Sequence, residues 1–77
     1  MNTPQNLEPH QVQMVEEHTQ LSDRLSKLRD FFGNPMFLQL SEVEQARLKA
    51  QEMFMAGYES VLSDRLAAIF QDKNLPG

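Results

Sequence analysis

The sequence predicts an all-α protein, an antiparallel pair of long helices assembling into a helical homo-oligomer. Three observations carry this. Apolar residues recur at helical spacing in two stretches, with no alternating strand pattern anywhere in the 77 residues. A Gly33-Asn34-Pro35 break separates the stretches. The second stretch carries an apolar arc of roughly 200°, wider than the ~100° stripe that faces one partner.

Residues 1–8 are polar and contain a proline, and are expected to form a mobile lead-in. Pro9 suits the first turn of a helix. From there Met14, His18, Leu21, Leu25, Leu28 and Phe32 recur at spacings of 4, 3, 4, 3 and 4, a narrow seam. A break is allowed near the start of this helix, leaving a short N-terminal helical segment. The connector Met36 to Leu40 is unusually apolar for a loop, so it is expected to pack on a helix or on a neighbouring subunit. Ser41 and Glu44 form a capping box that opens the second helix. That helix is expected to reach about Gln71, so the domain spans 9–71 and a tail 72–77 closes the chain.

On the second helix Leu48, Met55, Leu62 and Ile69 form one row, and Phe54, Val61 and Ala68 another. Gln51, Tyr58 and Arg65 run between them, which places a polar row in the middle of an apolar face. Buried without partners, such groups cost kilocalories. They are expected to set the register of an oligomer, to line a ligand site at a subunit junction, or both. Gly57 interrupts the helix at a cost of about 1 kcal/mol relative to alanine, at a margin where another backbone can approach.

Composition excludes several functions. The chain has no cysteine, so it offers no disulfide, thiolate metal site or thiol nucleophile. His10 and His18 are too few for a metal centre, and neither metal nor cofactor is expected. A net charge of −4 without a basic stripe argues against DNA or RNA polymers. No signal peptide or membrane span is visible, which makes a cytosolic protein the default. No glycine-rich phosphate loop, HExxH or triad pattern is present, so no enzyme is expected. A chain this short often needs oligomerisation to be stable.

Small anions remain open, because they need few cations. Arg24 and Lys27 lie one turn apart. They are either surface cations, with Lys27 paired to Asp23 and Asp30, or a phosphate clamp of one point charge and one planar fork. His10 either packs or stacks on a nucleobase. Tyr58 and Arg65 serve an interface network or a ligand.

Two strings carry a family resemblance: His10-Gln11-x-x-x-Val15-x-Glu17-x-x-x-Leu21-x-x-Arg24-x-x-Lys27-Leu28-x-x-Phe31 and Glu44-Gln45-x-x-Leu48-x-x-Gln51-x-x-x-Met55-x-x-Tyr58-x-x-x-Leu62-x-x-Arg65-Leu66. Over about residues 9–70 the chain resembles the small phage-encoded anti-CBASS sponge proteins. The resemblance implies a helical homohexamer in the cytoplasm of an infected bacterium. It would hold cyclic dinucleotides between protomers, with cyclic trinucleotides at separate sites in some members, and would leave the messenger uncleaved. It also implies an N-terminal aromatic that stacks on a base and a helix-one lysine, matched here by His10 and Lys27. His10 stands where the family carries a phenol. The candidate ligand-binding residues are therefore His10, Gln11, Arg24, Lys27, Tyr58 and Arg65. The alternatives are a helical structural or adaptor oligomer and an acidic inhibitor of a host protein.

Overall fold

The computed structural model describes residues 7–74, with side chains as far as Gln71. The expected lead-in at 1–6 and the tail end at 75–77 lie outside the described residues. Three helices follow one another: α1 (Pro9–Phe32), α2 (Pro35–Leu38) and α3 (Glu42–Asn74). α1 and α3 pack as the hairpin the sequence predicts.

Each helix end has a local cause. Glu8 is the N-cap of α1, and its backbone N–H donates to Gln11 Oε1 at 2.9 Å. Pro9 follows as the first helical residue, where a missing N–H costs nothing. α1 then runs unbroken, so the short N-terminal segment does not form as a separate element. No glycine and no second proline interrupts residues 10–32, and Pro9 stands at the one position that suits a proline. Gly33 ends the helix with φ at −89°, not in the left-handed region. Its N–H donates to the Asp30 carbonyl at 3.1 Å. Pro35 prevents further propagation, and the Asn34 side chain accepts from the Met36 amide at 2.9 Å.

The apolar connector is a single turn, α2, held by one plug. Phe37 is buried between the tip of α1 and the start of α3. Its ring meets Phe31 edge-on at 5.9 Å and Phe32 at 5.0 Å between centroids. The Lys49 ammonium sits over the same ring at 5.8 Å. Met36 and Leu38 remain exposed, so only part of the connector packs within the protomer. The Ser41 hydroxyl then accepts from the Glu44 amide at 3.1 Å and opens α3. α3 continues to Asn74, one turn past its expected end. Between Gln71 and Pro76 the sequence holds no glycine or proline to stop it earlier.

The core is thin. Met14, Leu25, Phe37, Leu62 and Leu66 are the buried apolar side chains among the described residues. Val15, Leu21, Ile69 and Phe70 pack around the Met14–Leu62–Leu66 cluster. The α3 seam therefore runs through Leu48, Met55, Leu62, Leu66 and Ile69, and two carboxylates interrupt it. Glu59 meets His18 Nε2 at 2.8 Å, and Glu52 meets Arg29 Nε at 2.8 Å.

This seam takes one edge of the apolar arc. Gln51, Tyr58 and Arg65 run beside it and are exposed in the protomer, with Phe54 and Val61 exposed on their other side. Periodicity alone centred α3 on the whole apolar arc. α1 is too narrow to cover that arc and takes one edge of it. The rest stays uncovered: Val43, Phe54 and Val61 are exposed, Phe54 to 78 %. No helix among the described residues is long and apolar enough to cross a membrane.

Candidate functional site

Two heptad rows line one flank of the hairpin. On α1, positions 10, 17, 24 and 31 recur every seven residues and lie just off the seam. On α3, positions 51, 58 and 65 do the same. The rows are locked in register at their middle, where the Tyr58 hydroxyl donates to Glu17 Oε2 at 2.5 Å. The helices are antiparallel, so one heptad either way pairs the level of His10 with Arg65, and that of Arg24 with Gln51. Successive levels are two turns apart, about 10 Å. The flank is thus a polar strip of three tiers: His10 with Arg65, Glu17 with Tyr58, and Arg24 with Gln51.

The electrostatics of the strip are mixed. The hydrogen bond to the Glu17 carboxylate raises the Tyr58 pKa above the ordinary phenol value. Loss of solvent and the negative charge of Glu17 add to it, while the positive charge of Arg65 pulls the other way. Arg24 and Arg65 make no ion pair within 4 Å among the described residues. The strip therefore offers two unpaired guanidinium groups and an imidazole around one oriented carboxylate. Guanidinium forks suit phosphate oxygens, and an imidazole suits the face of a base.

The six sequence-derived candidates do not all converge. His10, Arg24, Tyr58 and Arg65 share the flank, and all four are exposed. Gln11 is half-buried on the seam side, with its Oε1 engaged at the α1 N-terminus. Lys27 points from the outer face of α1 and is 76 % exposed, held only to Asp23 at 3.2 Å. Of the two acidic neighbours expected for Lys27, Asp23 is the one it meets. Within one protomer Lys27 lies about one turn beyond Arg24, past the end of the strip and far from the level of Arg65.

Sequence reasoning missed three groups. Glu17 was not among the candidate residues, yet it is the acceptor that ties Tyr58 down. Glu59 and Glu52 were not among the candidates either, yet both sit at the helix interface. Their signal was their spacing of seven, in line with Leu66 on one stripe of α3.

The opposite flank holds a shallow groove of about 340 Å³ lined by Ser22, Leu25, Ser26, Arg29, Asp30 and Glu59. Its cation, Arg29, is already paired with Glu52, and Asp30 and Glu59 leave the groove acidic. That charge balance makes the three-tier strip the better anion site. No cluster of three or more potential metal ligands occurs among the described residues.

A family model described as Sequestin matches residues 8–68 of the chain. That span takes in α1, α2 and most of α3, including all six candidate residues. No curated protein and no solved structure matches the chain.

Proposed function

The chain belongs to the Sequestin family, and from that premise we propose that it captures cyclic oligonucleotide second messengers and holds them uncleaved. The reading is of a phage anti-defence protein in the cytoplasm of an infected bacterium. It takes up cyclic dinucleotides, with cyclic trinucleotides as a further class, before they reach a CBASS effector. The family name fits sequestration of a ligand, and the rest follows from the chemistry of the strip and the resemblance in the sequence.

The observation that carries the proposal is the three-tier strip beside an uncovered apolar face. Cations and a stacking imidazole supply what a cyclic dinucleotide needs: charge for two phosphates and a surface for a base. The neighbouring exposed residues Phe54 and Val61 supply the wall. That wall closes when a second copy docks on α3, so the pocket lies between protomers of a homo-oligomer, a hexamer by the resemblance. Contiguous exposed apolar surface of this kind marks an association site. Capture requires abundance and affinity but no turnover, because the messenger is withdrawn by mass action.

A thermal-shift panel of cyclic di- and trinucleotides tests this. A ligand that binds only the folded protein raises the melting temperature, and by more the further its concentration exceeds its Kd. A clear rise, followed by recovery of intact messenger from the heat-denatured complex, is the expected result. Linear product would reveal an enzyme. No shift with any ligand would leave an adaptor oligomer or an acidic inhibitor of a host protein.

A further inference from the structure

Glu17 is a carboxylate at the centre of a strip that otherwise carries cations and neutral groups. Facing a phosphate, it would weaken binding by like-charge repulsion. Facing hydrogen-bond donors, it would strengthen it. Its geometry favours the second role. The Tyr58 hydroxyl occupies one lone pair of Oε2 and fixes the carboxylate against α3. An ionised carboxylate has about four acceptor sites, so Oε1 and the rest of Oε2 stay open. His10 lies one tier away, about 10 Å along α1, which leaves room for one purine stacked on the imidazole with its edge toward Glu17.

From this we infer that Glu17 is a base-reading residue, accepting the N1–H and the exocyclic amino group of a guanine. This rests on the sequestration reading above and adds to it a preference among ligands. Guanine presents two adjacent donors on that edge. Adenine presents one donor beside the N1 lone pair, which faces a carboxylate with repulsion. Two parallel hydrogen bonds to a charged acceptor discriminate strongly, because the wrong base leaves charged lone pairs unpaired.

The test compares cyclic di-GMP with cyclic di-AMP by titration calorimetry, on the full chain and on Glu17→Gln. The side chain is exposed, so the variant keeps its fold, as circular dichroism will verify. A glutamine carries both an acceptor and a donor and matches either purine. The wild type is expected to prefer cyclic di-GMP by about tenfold or more, the size of one lost charged hydrogen bond. Glu17→Gln is expected to lose most of that preference. Tyr58→Phe, which frees the carboxylate without removing it, is expected to lose part of it. Equal binding of both ligands by the wild type overturns the base reading and leaves sequestration intact. An equal loss for both ligands in Glu17→Gln also overturns it, and assigns Glu17 to positioning Tyr58. Binding of neither ligand by the wild type overturns the base reading, and the thermal-shift panel of other cyclic di- and trinucleotides then decides sequestration separately.

Discussion

His18 Nε2 and Glu59 lie 2.8 Å apart inside the helix seam, with 26 % and 29 % of their side chains exposed. An ionised carboxylate only accepts, so Nε2 is the donor of this hydrogen bond. The pair occupies a level of the seam that a leucine would otherwise fill. It therefore trades apolar contact for a fixed register between α1 and α3. Ser22 approaches the same carboxylate at 3.5 Å.

Removing one partner and removing both should differ in sign. Glu59→Leu strands the imidazole and is expected to destabilise the protein by about 1 kcal/mol. His18→Leu with Glu59→Leu replaces the pair by packed apolar groups and is expected to be neutral or stabilising. Denaturation midpoints at one fixed protein concentration decide between them. Additive destabilisation in the double variant would show that the pair has no coupling.

Phe37 and its neighbours give a sharper contrast. Phe37→Ala empties the plug between Phe31, Phe32 and Lys49 and is expected to cost about 3 kcal/mol or more. Leu38→Ala, one residue on and 73 % exposed, is expected to stay within about 0.5 kcal/mol. The comparison also reports on assembly. A large loss at Leu38 would mean that a neighbouring subunit buries it.

Much of α1 was legible in the sequence, and the reason is its narrow seam. Six apolar or aromatic-sized residues from Met14 to Phe32 define one direction, and the structure packs that direction on α3. The stop at Gly33-Asn34-Pro35 and the start at Ser41 were equally local. α2 was not legible as a helix, because a four-residue turn has no period and forms only when Phe37 finds its pocket. The facing of α3 was not legible either. Apolar residues surround more than half of that helix, so periodicity names an arc without saying which edge α1 takes. Glu52 and Glu59 decide it through their partners Arg29 and His18, and a partner 41 residues away in the chain leaves no local trace. The same gap hid Glu17, whose role depends on Tyr58 across the hairpin.

Tyr58 is the chain's one tyrosine and there is no tryptophan, so an ultraviolet titration reads this phenol alone. Its midpoint is expected above the ordinary value of 10.0, because the protonated phenol donates a hydrogen bond to Glu17. Folding then holds the proton more tightly than the unfolded chain does. The resulting stabilisation is complete below the unfolded pKa and is lost as the pH rises through the raised folded value. Glu17→Gln should move the midpoint down, and Arg65→Ala should move it up, since the guanidinium favours the phenolate. A midpoint unchanged in Glu17→Gln would place the phenol elsewhere in solution.

The uncovered face of α3 separates assembly from folding. Phe54→Glu and Val61→Glu change side chains that the hairpin leaves exposed. They are expected to retain helicity while lowering the mass seen by light scattering. Leu62→Glu, by contrast, buries an unpaired charge among Met14 and Leu66 and is expected to unfold the chain. An unaltered mass in Phe54→Glu and Val61→Glu would remove this face from the assembly.

Lys27 provides the most demanding test, because it stands apart from the strip. Its ammonium is exposed and held only by Asp23, so Lys27→Ala should keep both helicity and mass. If it clamps a phosphate, its loss removes a charge-assisted hydrogen bond, about 1.5–3 kcal/mol, or roughly ten- to hundredfold in affinity for a cyclic dinucleotide. Lys27 lies about 25 Å along the hairpin from the level of Arg65, so a pocket that uses both must draw them from two protomers. Arg65→Ala should therefore bind as poorly as Lys27→Ala when each is assayed alone. Mixed and reassembled together, the two variants should regain binding, since some interfaces then pair an intact Lys27 with an intact Arg65. Binding that stays lost in the mixture, with mixed oligomers verified by mass, would put the two residues in separate sites. Affinity unaltered in Lys27→Ala would remove Lys27 from the pocket and leave the strip on the flank to hold the ligand alone.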